Sequence, residues 1–274
     1  MPNQRDDRPS IGIIGYGAFG QLMAGHLRRY FPLRCHDPLR KIGDRFDGGD
    51  FVSLAEAAHC SIVVLATPVG ALAETVAAIA PHVKPGALVL DVGSVKMLPA
   101  DVMRRGLPDD VDIVGTHPLF GPQSARHGIS GLKIAICPVR GGRARRVAAF
   151  LRKAFSLKVF VTTPETHDRE AAMVQGLTHL IAKVLVQMEP LPTMLTTKSF
   201  DLIVESVNMV RHDAPGVFQA IERLNPYAPG VRERFFALAA ELASTLDEPC
   251  SAVSESPAPL SAQRFTRDSC RRAR

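Results

Sequence analysis

The chain has 274 residues, enough for one large domain or two of ordinary size, and its 46% apolar and 22% charged residues match a globular protein rather than a disordered or fibrous one. The net charge of +6 comes partly from beyond residue 247, where five arginines face three carboxylates; the remainder has no basic run and few aromatic residues to stack bases, so nucleic acid is not expected as a partner. No window approaches the roughly 18 uninterrupted apolar residues of a membrane span, and the first ten residues hold no signal-like apolar stretch, so no membrane association and a cytoplasmic location are the default expectation.

Residues 11–15 (IGIIG) form an apolar run ending in glycine, and Leu22, Met23, Leu27 and Tyr30 follow at near-helical spacing, which predicts strand, tight turn and helix. Further runs at 33–36, 62–66, 87–92, 111–114, 134–137 and 159–161 are mostly β-branched and bounded by Gly, Pro or Asp, as strands are. Helical segments are expected between them over 70–80, near 96–105 and over 143–155. This alternation predicts an α/β fold, a Rossmann-like doubly wound parallel sheet with helices on both faces. From about residue 165 the texture becomes helical, over 166–188, 195–211, 214–224 and 229–246, which predicts a following all-α domain. The apolar stretch from Leu177 to Met188 suggests that this domain forms the core of a homodimer. The expected organisation is a disordered N-terminus over 1–9, a dinucleotide-binding domain over 10–164, a helical substrate and dimerisation domain over 165–247, and a disordered Ser/Pro/Ala-rich tail over 248–274. Five cysteines without Cys-x-x-Cys spacing read as reduced, mostly buried thiols.

Three groups of residues carry chemistry. Gly15-Tyr16-Gly17-Ala18-Phe19-Gly20 joins the first strand to the first helix, the context in which a Gly-x-Gly-x-x-Gly turn binds a dinucleotide: Gly15 for the turn, Gly17 for close approach of the pyrophosphate, Gly20 for helix–strand packing. Asp37, at the end of the second strand, can accept both ribose hydroxyls, which favours NAD, although Arg40 and Lys41 could admit the 2′-phosphate of NADP. Ala18, Phe19, Thr67 and Ser94 complete the expected cofactor-binding set. Asp91-Val-Gly-Ser94-Val-Lys96 and Thr116-His117-Pro118-Leu-Phe120-Gly121-Pro122-Gln123-Ser124 lie at carboxyl ends of strands, where ligands sit in such sheets. His117, held between a strand end and two prolines, is rigidly placed to accept a proton. No metal-ligand cluster is evident.

These runs, with Glu165-Thr-His-Asp168 and Gln175-Gly-Leu-Thr178-His179, resemble the prephenate and arogenate dehydrogenase family of tyrosine biosynthesis over residues 10–246. The resemblance implies NAD(P)-dependent oxidative decarboxylation of arogenate to tyrosine, of prephenate to 4-hydroxyphenylpyruvate, or of both. It implies His117 as the catalytic residue on the ring hydroxyl, Ser94 orienting substrate and nicotinamide, and Gln123, Ser124, Gln175, Thr178 and His179 on the substrate side. Asp213 falls where arogenate-preferring members carry an acidic residue suited to an ammonium group. A substrate-gripping arginine is not fixed by the motifs; Arg126, Arg211 and Arg223 are candidates. No separate regulatory or chorismate mutase domain is expected after the helical segment.

Two other readings compete within the same architecture: a prephenate-specific enzyme, and a non-catalytic NAD-binding sensor that kept the fold. A β-hydroxyacid dehydrogenase would need a lysine and an asparagine one helical turn apart, and Lys183 is followed by Gln187 instead.

Overall fold

The computed structural model describes residues 9–247. The tail from residue 248 and the N-terminal stretch through residue 8, both expected to be disordered, lie outside the described residues, as do Cys250 and Cys270. Residues up to Phe235 form one compact unit, and those from Phe236 a second, whose described part ends a helix at Asp247.

Strands β1 (Ile11–Ile14), β2 (Leu33–His36), β5 (Ile62–Leu65) and β6 (Leu88–Asp91) are the short apolar runs of the sequence, and they pair in parallel in the order β2-β1-β5-β6. Successive side chains on a strand point to opposite faces. Ile13 and Val64 accordingly pack beside helix α1 (Ala18–Leu27), while Ile14, Val63 and Leu65 pack beside α3 (Leu72–Ile79) and α4 (Met97–Gly106). The chain leaves β1 for β2 on one side and reaches β5 on the other, so the crevice of a doubly wound sheet opens at the carboxyl ends of β1 and β5.

The full sheet has nine strands in the order β3-β4-β2-β1-β5-β6-β7-β8-β9. It is not wholly parallel, contrary to the sequence expectation. A small antiparallel pair, β3 (Arg45–Phe46) and β4 (Gly49–Phe51), forms one edge, followed by the short helix α2 (Leu54–Ala58). Strand β7 (Asp112–Pro118) also pairs antiparallel with β8 (Lys133–Arg140). A parallel return needs a crossover, usually helical. The connection between β7 and β8 contains Gly121, Pro122, Gly128 and Gly131 and forms no helix, so the chain turns back. Helix α5 (Ala144–Phe155) and β9 (Lys158–Val161), parallel to β8, complete the sheet.

Beyond β9 every element is helical. Helix α6 (Pro164–Ala171) runs through a π-helical turn, Ala172–Gly176, into α7 (Leu177–Gln187), and α8 (Lys198–Val210) follows. Helix α9 (Pro215–Gln219) runs through a second π-helical turn, Ala220–Leu224, before α10 (Ala228–Asp247). The continuous helices expected over 166–188 and 214–224 are therefore each interrupted by a widened turn, a feature frequent at functional sites.

Gly12 faces the backbone of α2 so closely that a Cβ there would collide with the carbonyl oxygen of Ala57. Gly12→Ala is expected to destabilise the protein by about 1–3 kcal/mol, the usual cost of forcing extra volume into a packed interior. A urea-unfolding midpoint equal to that of the parent protein would contradict this packing.

Candidate active site

The glycine turn closes against the sheet. Gly15 has φ +99°, and a Cβ there would lie 2.6 Å from the Ala66 carbonyl oxygen, while a Cβ at Gly20 would strike the Gly15 carbonyl; both positions require glycine. A Cβ at Gly17, in contrast, would meet no protein atom within 4 Å. Gly17 is also the N-cap of α1, and no side chain caps that helix. A helix start with unspent N–H groups and open space in front of it suits a pyrophosphate. Asp37 supports the turn from β2: its carboxylate accepts from Tyr16 N at 2.7 Å and Leu39 N at 2.9 Å. Thr67 follows β5 and meets the Thr75 hydroxyl at 3.5 Å. Phe19, on α1, lies 6.4 Å from Phe120 between ring centroids, which brings the glycine turn next to the loop after β7.

His117 belongs to β7, paired with Ala135 of β8, and not to the loop that the sequence suggested. The antiparallel ladder extends the strand past Val114 and holds the imidazole on a rigid element. His117 is buried at 4% exposure, and its two nitrogens meet different partners: Nδ1 lies 2.8 Å from His167 Nε2, and Nε2 lies 3.3 Å from Gln175 Nε2. His167 Nδ1 in turn lies 2.7 Å from Asp168 Oδ1. The Asp168 carboxylate also accepts from Lys96 N at 2.7 Å and Met97 N at 2.8 Å. Gln175 sits in the first π-helical turn, and its Oε1 is buried with no hydrogen-bond partner among the described residues, leaving an acceptor for a ligand.

Below this chain lies a buried ion pair. Lys96 Nζ contacts Asp91 Oδ2 and donates to the Thr116 carbonyl at 2.6 Å; the Thr116 hydroxyl donates to the Asp91 carbonyl at 2.6 Å. Lys96 has 1% exposure, so its ammonium acts inside the protein, one residue from His117 along β7. Burial first, with the Lys96 ammonium adding to it, holds the His117 imidazole well below its ordinary titration range. Burial pushes the Asp91 carboxyl upward, against the Lys96 ammonium that favours its charged form.

The other expected substrate-side residues are placed unevenly. His179, on α7, is buried; its Nδ1 meets the Gln175 carbonyl at 3.0 Å and its Nε2 meets Asp213 Oδ2 at 3.3 Å. Asp213 also faces the loop after β7, since a Cβ on Gly121 would lie 3.7 Å from its Oδ1. The Thr178 hydroxyl is turned back onto its own helix, donating to the Val174 carbonyl at 2.7 Å. Ser94 lies between Asp91 and Lys96 in the turn after β6. Ser124 closes its own loop through Gly121, and with Gln123 and Arg126 it lines a groove of about 580 Å³ that also runs along α8. Of the candidate arginines, Arg211 is held by both oxygens of Glu189, at 2.8 and 3.1 Å. His167 and Asp168 lie in a run that the sequence marked only as part of a resemblance; their partnership with His117 spans 50 residues and leaves no local signal.

A family model described as prephenate dehydrogenase, nucleotide-binding domain, matches residues 40–133. Arogenate dehydrogenase 2, chloroplastic, of Arabidopsis thaliana is 31% identical over 239 residues, covering 82% of this chain, and arogenate dehydrogenase 1 of the same plant is 28% identical over 242 residues, covering 83%. The chain spans 66% and 38% of the lengths of these two relatives, respectively. Among solved structures, prephenate dehydrogenase of A. aeolicus in complex with hydroxyphenyl propionate and NAD+ superposes with a TM-score of 0.66 at 19% identity, over 87% of this chain and 90% of that one. That likeness establishes the fold.

Removing the ammonium from the buried pair leaves the Asp91 carboxylate without its counter-charge. Lys96→Met is expected to cost roughly 3–5 kcal/mol, the usual effect of stranding a buried charge. Adding Asp91→Asn should recover part of that loss in denaturant unfolding; a double variant no more stable than Lys96→Met would contradict the pairing.

Proposed function

The chain belongs to the prephenate/arogenate dehydrogenase family, and on that premise we propose that it catalyses the NAD(P)-dependent oxidative decarboxylation of arogenate, with prephenate as the competing substrate. One observation carries this reading: a buried imidazole, His117, on the carboxyl-end side of the sheet, with Nε2 turned toward the Gln175 amide. In this reading residues 10–164 hold the cofactor and 165–247 supply the substrate side.

Gly15, Gly17, Ala18, Phe19, Gly20, Asp37 and Thr67 would hold the dinucleotide, with Ser94 at its nicotinamide end. The Asp37 carboxylate favours the unphosphorylated ribose of NAD. When bound, the nicotinamide supplies the hydride acceptor. The chain's own task is to take the hydroxyl proton from the ring carbon that loses hydride. His117, neutral because burial and the adjacent cation oppose its protonation, accepts that proton at Nε2. The ring carboxylate leaves as carbon dioxide, the ring becomes aromatic, and the phenolate oxygen takes the proton back from His117. The sum is substrate anion plus oxidised cofactor going to phenol, carbon dioxide and reduced cofactor, with no net proton released. Aromatisation drives the reaction, so the protein's contribution is to position the reactants and hold one proton.

The Asp213 carboxylate beside His179 favours a substrate whose side chain carries an ammonium, hence arogenate over the pyruvyl side chain of prephenate. Exposed apolar residues, Ile181 and Val184 on α7, Met188 just after it, and Leu202, Ile203 and Met209 on α8, support a homodimer formed through the helical segment.

Purified protein mixed with arogenate or prephenate and NAD or NADP, with reduced cofactor followed by absorbance, should turn over fastest with arogenate and NAD. No turnover with any of the four pairs would overturn the assignment. His117→Asn is expected to lower kcat by about 10²–10⁴-fold, and an unchanged kcat would remove its role. Asp213→Asn should raise the prephenate-to-arogenate ratio of kcat/KM, and a constant ratio would reject the ammonium contact. Because the neutral imidazole is the active form and its titration is displaced downward, kcat/KM should stay level as pH falls through the ordinary histidine range of about 6.5 and drop only below it. A drop centred at or above that value would contradict the buried, cation-flanked setting formed by Lys96, Asp91, His167, Asp168 and the Cys137 thiol.

A further inference from the structure

We propose that His167 and Asp168 are positioning residues that fix His117 in one tautomer, with its proton on Nδ1 and its lone pair on Nε2. The proposal rests on the function above only in assigning that lone pair to a substrate hydroxyl.

Asp168 has 0% exposure, and its carboxylate accepts the backbone N–H groups of Lys96 and Met97, the N-cap and first residue of α4. No side chain adjacent in sequence caps that helix; Asp168, from α6, does so across more than 70 residues. Two backbone donors and the positive end of the ten-residue α4 favour the ionised carboxylate. An ionised carboxylate only accepts, so His167 Nδ1, 2.7 Å from Oδ1, carries a proton and donates it.

We take the His167 ring as neutral, a second cation being opposed beside the buried Lys96 ammonium, so its lone pair is on Nε2. That atom lies 2.8 Å from His117 Nδ1, and two lone pairs cannot share such a contact, so His117 Nδ1 carries the proton and donates. His117 Nε2 is left with its lone pair, which accepts from the Gln175 amide N–H at 3.3 Å. The order of donors and acceptors starts from the Asp168 charge and passes through a neutral His167. The two rings stand edge to face at 66°, which keeps the Nδ1–H directed at its acceptor. Asn225, whose Nδ2 donates to the Asp168 carbonyl at 2.8 Å, holds the start of the chain from the other side. The order carboxylate, imidazole, reacting group has the same logic as a catalytic triad, with a second imidazole in the reacting position.

Nitrogen-15 spectra of the full chain labelled at histidine test this without substrate, His117 being assigned by the signal lost in His117→Asn. The expected wild-type pattern is a protonated Nδ1 and an unprotonated Nε2 on His117. In His167→Asn the amide replaces Nδ1 toward Asp168 but offers nothing where Nε2 stood; His117 should become a mixture of tautomers. Its kcat should fall by about 10²–10⁴-fold, with substrate KM changed by less than about threefold. His167→Gln places an amide oxygen near the lost Nε2 and should restore the Nδ1–H signal and most of kcat.

A wild-type His117 protonated on Nε2 would overturn the proposal. So would a His167→Asn protein that keeps the Nδ1–H signal and the parent kcat, or Asn and Gln variants that lose stability and rate alike while the His117 tautomer stays put. If no substrate pair is turned over, the spectra still decide the tautomer, so failure of the enzyme assignment and failure of this inference are separable.

Discussion

The carboxylate of Asp168 lies out of reach of water, and an ion there is tolerable only if its oxygens are fully occupied. They are: two backbone N–H groups at the start of α4 and one imidazole N–H bind it. Breaking any of these strands part of a buried charge, which ties together three regions distant in sequence: the turn after β6, the first turns of α6, and, through His167, the end of β7. The glycine turn and the parallel strands would be much the same without this contact, but the groups around His117 would not share one geometry.

A second buried charge, the Lys96 ammonium, works on the same imidazole by a different route. It anchors to Asp91 and the Thr116 carbonyl and so fixes the strand immediately before His117. Burial does most to keep His117 neutral and able to accept a proton, and the Lys96 charge adds to it by opposing a second cation nearby. Orientation comes from the carboxylate chain, and protonation state from burial reinforced by the cation. Chemistry that must borrow and return one proton needs both.

The sequence exposed these features unequally, for physical reasons. Strands β1, β2, β5 and β6 are visible because strands buried on both faces are short apolar runs. The edge pair β3–β4 is hidden because its residues, Arg45, Phe46, Gly49, Asp50 and Phe51, are partly polar and too few to show alternation. The reversed direction of β8 is hidden because a strand's residues do not record the direction of its neighbour. The π-helical turns carrying Gln175 and Glu222 keep an apolar spacing that reads as continuous helix. His117 and Gly15 were accessible through their motifs. The service of His167 and Asp168 to His117 was not, since the contact is made only when α6 packs over the carboxyl edge of the sheet. Thr178 shows the converse: a residue prominent in a motif whose hydroxyl is spent on its own helix.

In the proposed reaction the lone pair on His117 faces a ring hydroxyl whose carbon loses hydride while the ring loses its carboxylate. Single-turnover reaction with arogenate deuterated at the hydroxyl-bearing ring carbon, analysed by mass spectrometry with carbon dioxide collected, tests it most directly. Deuterium should appear in the reduced cofactor, with one carbon dioxide per reduced cofactor formed. Reduced cofactor without deuterium, or formed without matching carbon dioxide, would contradict it.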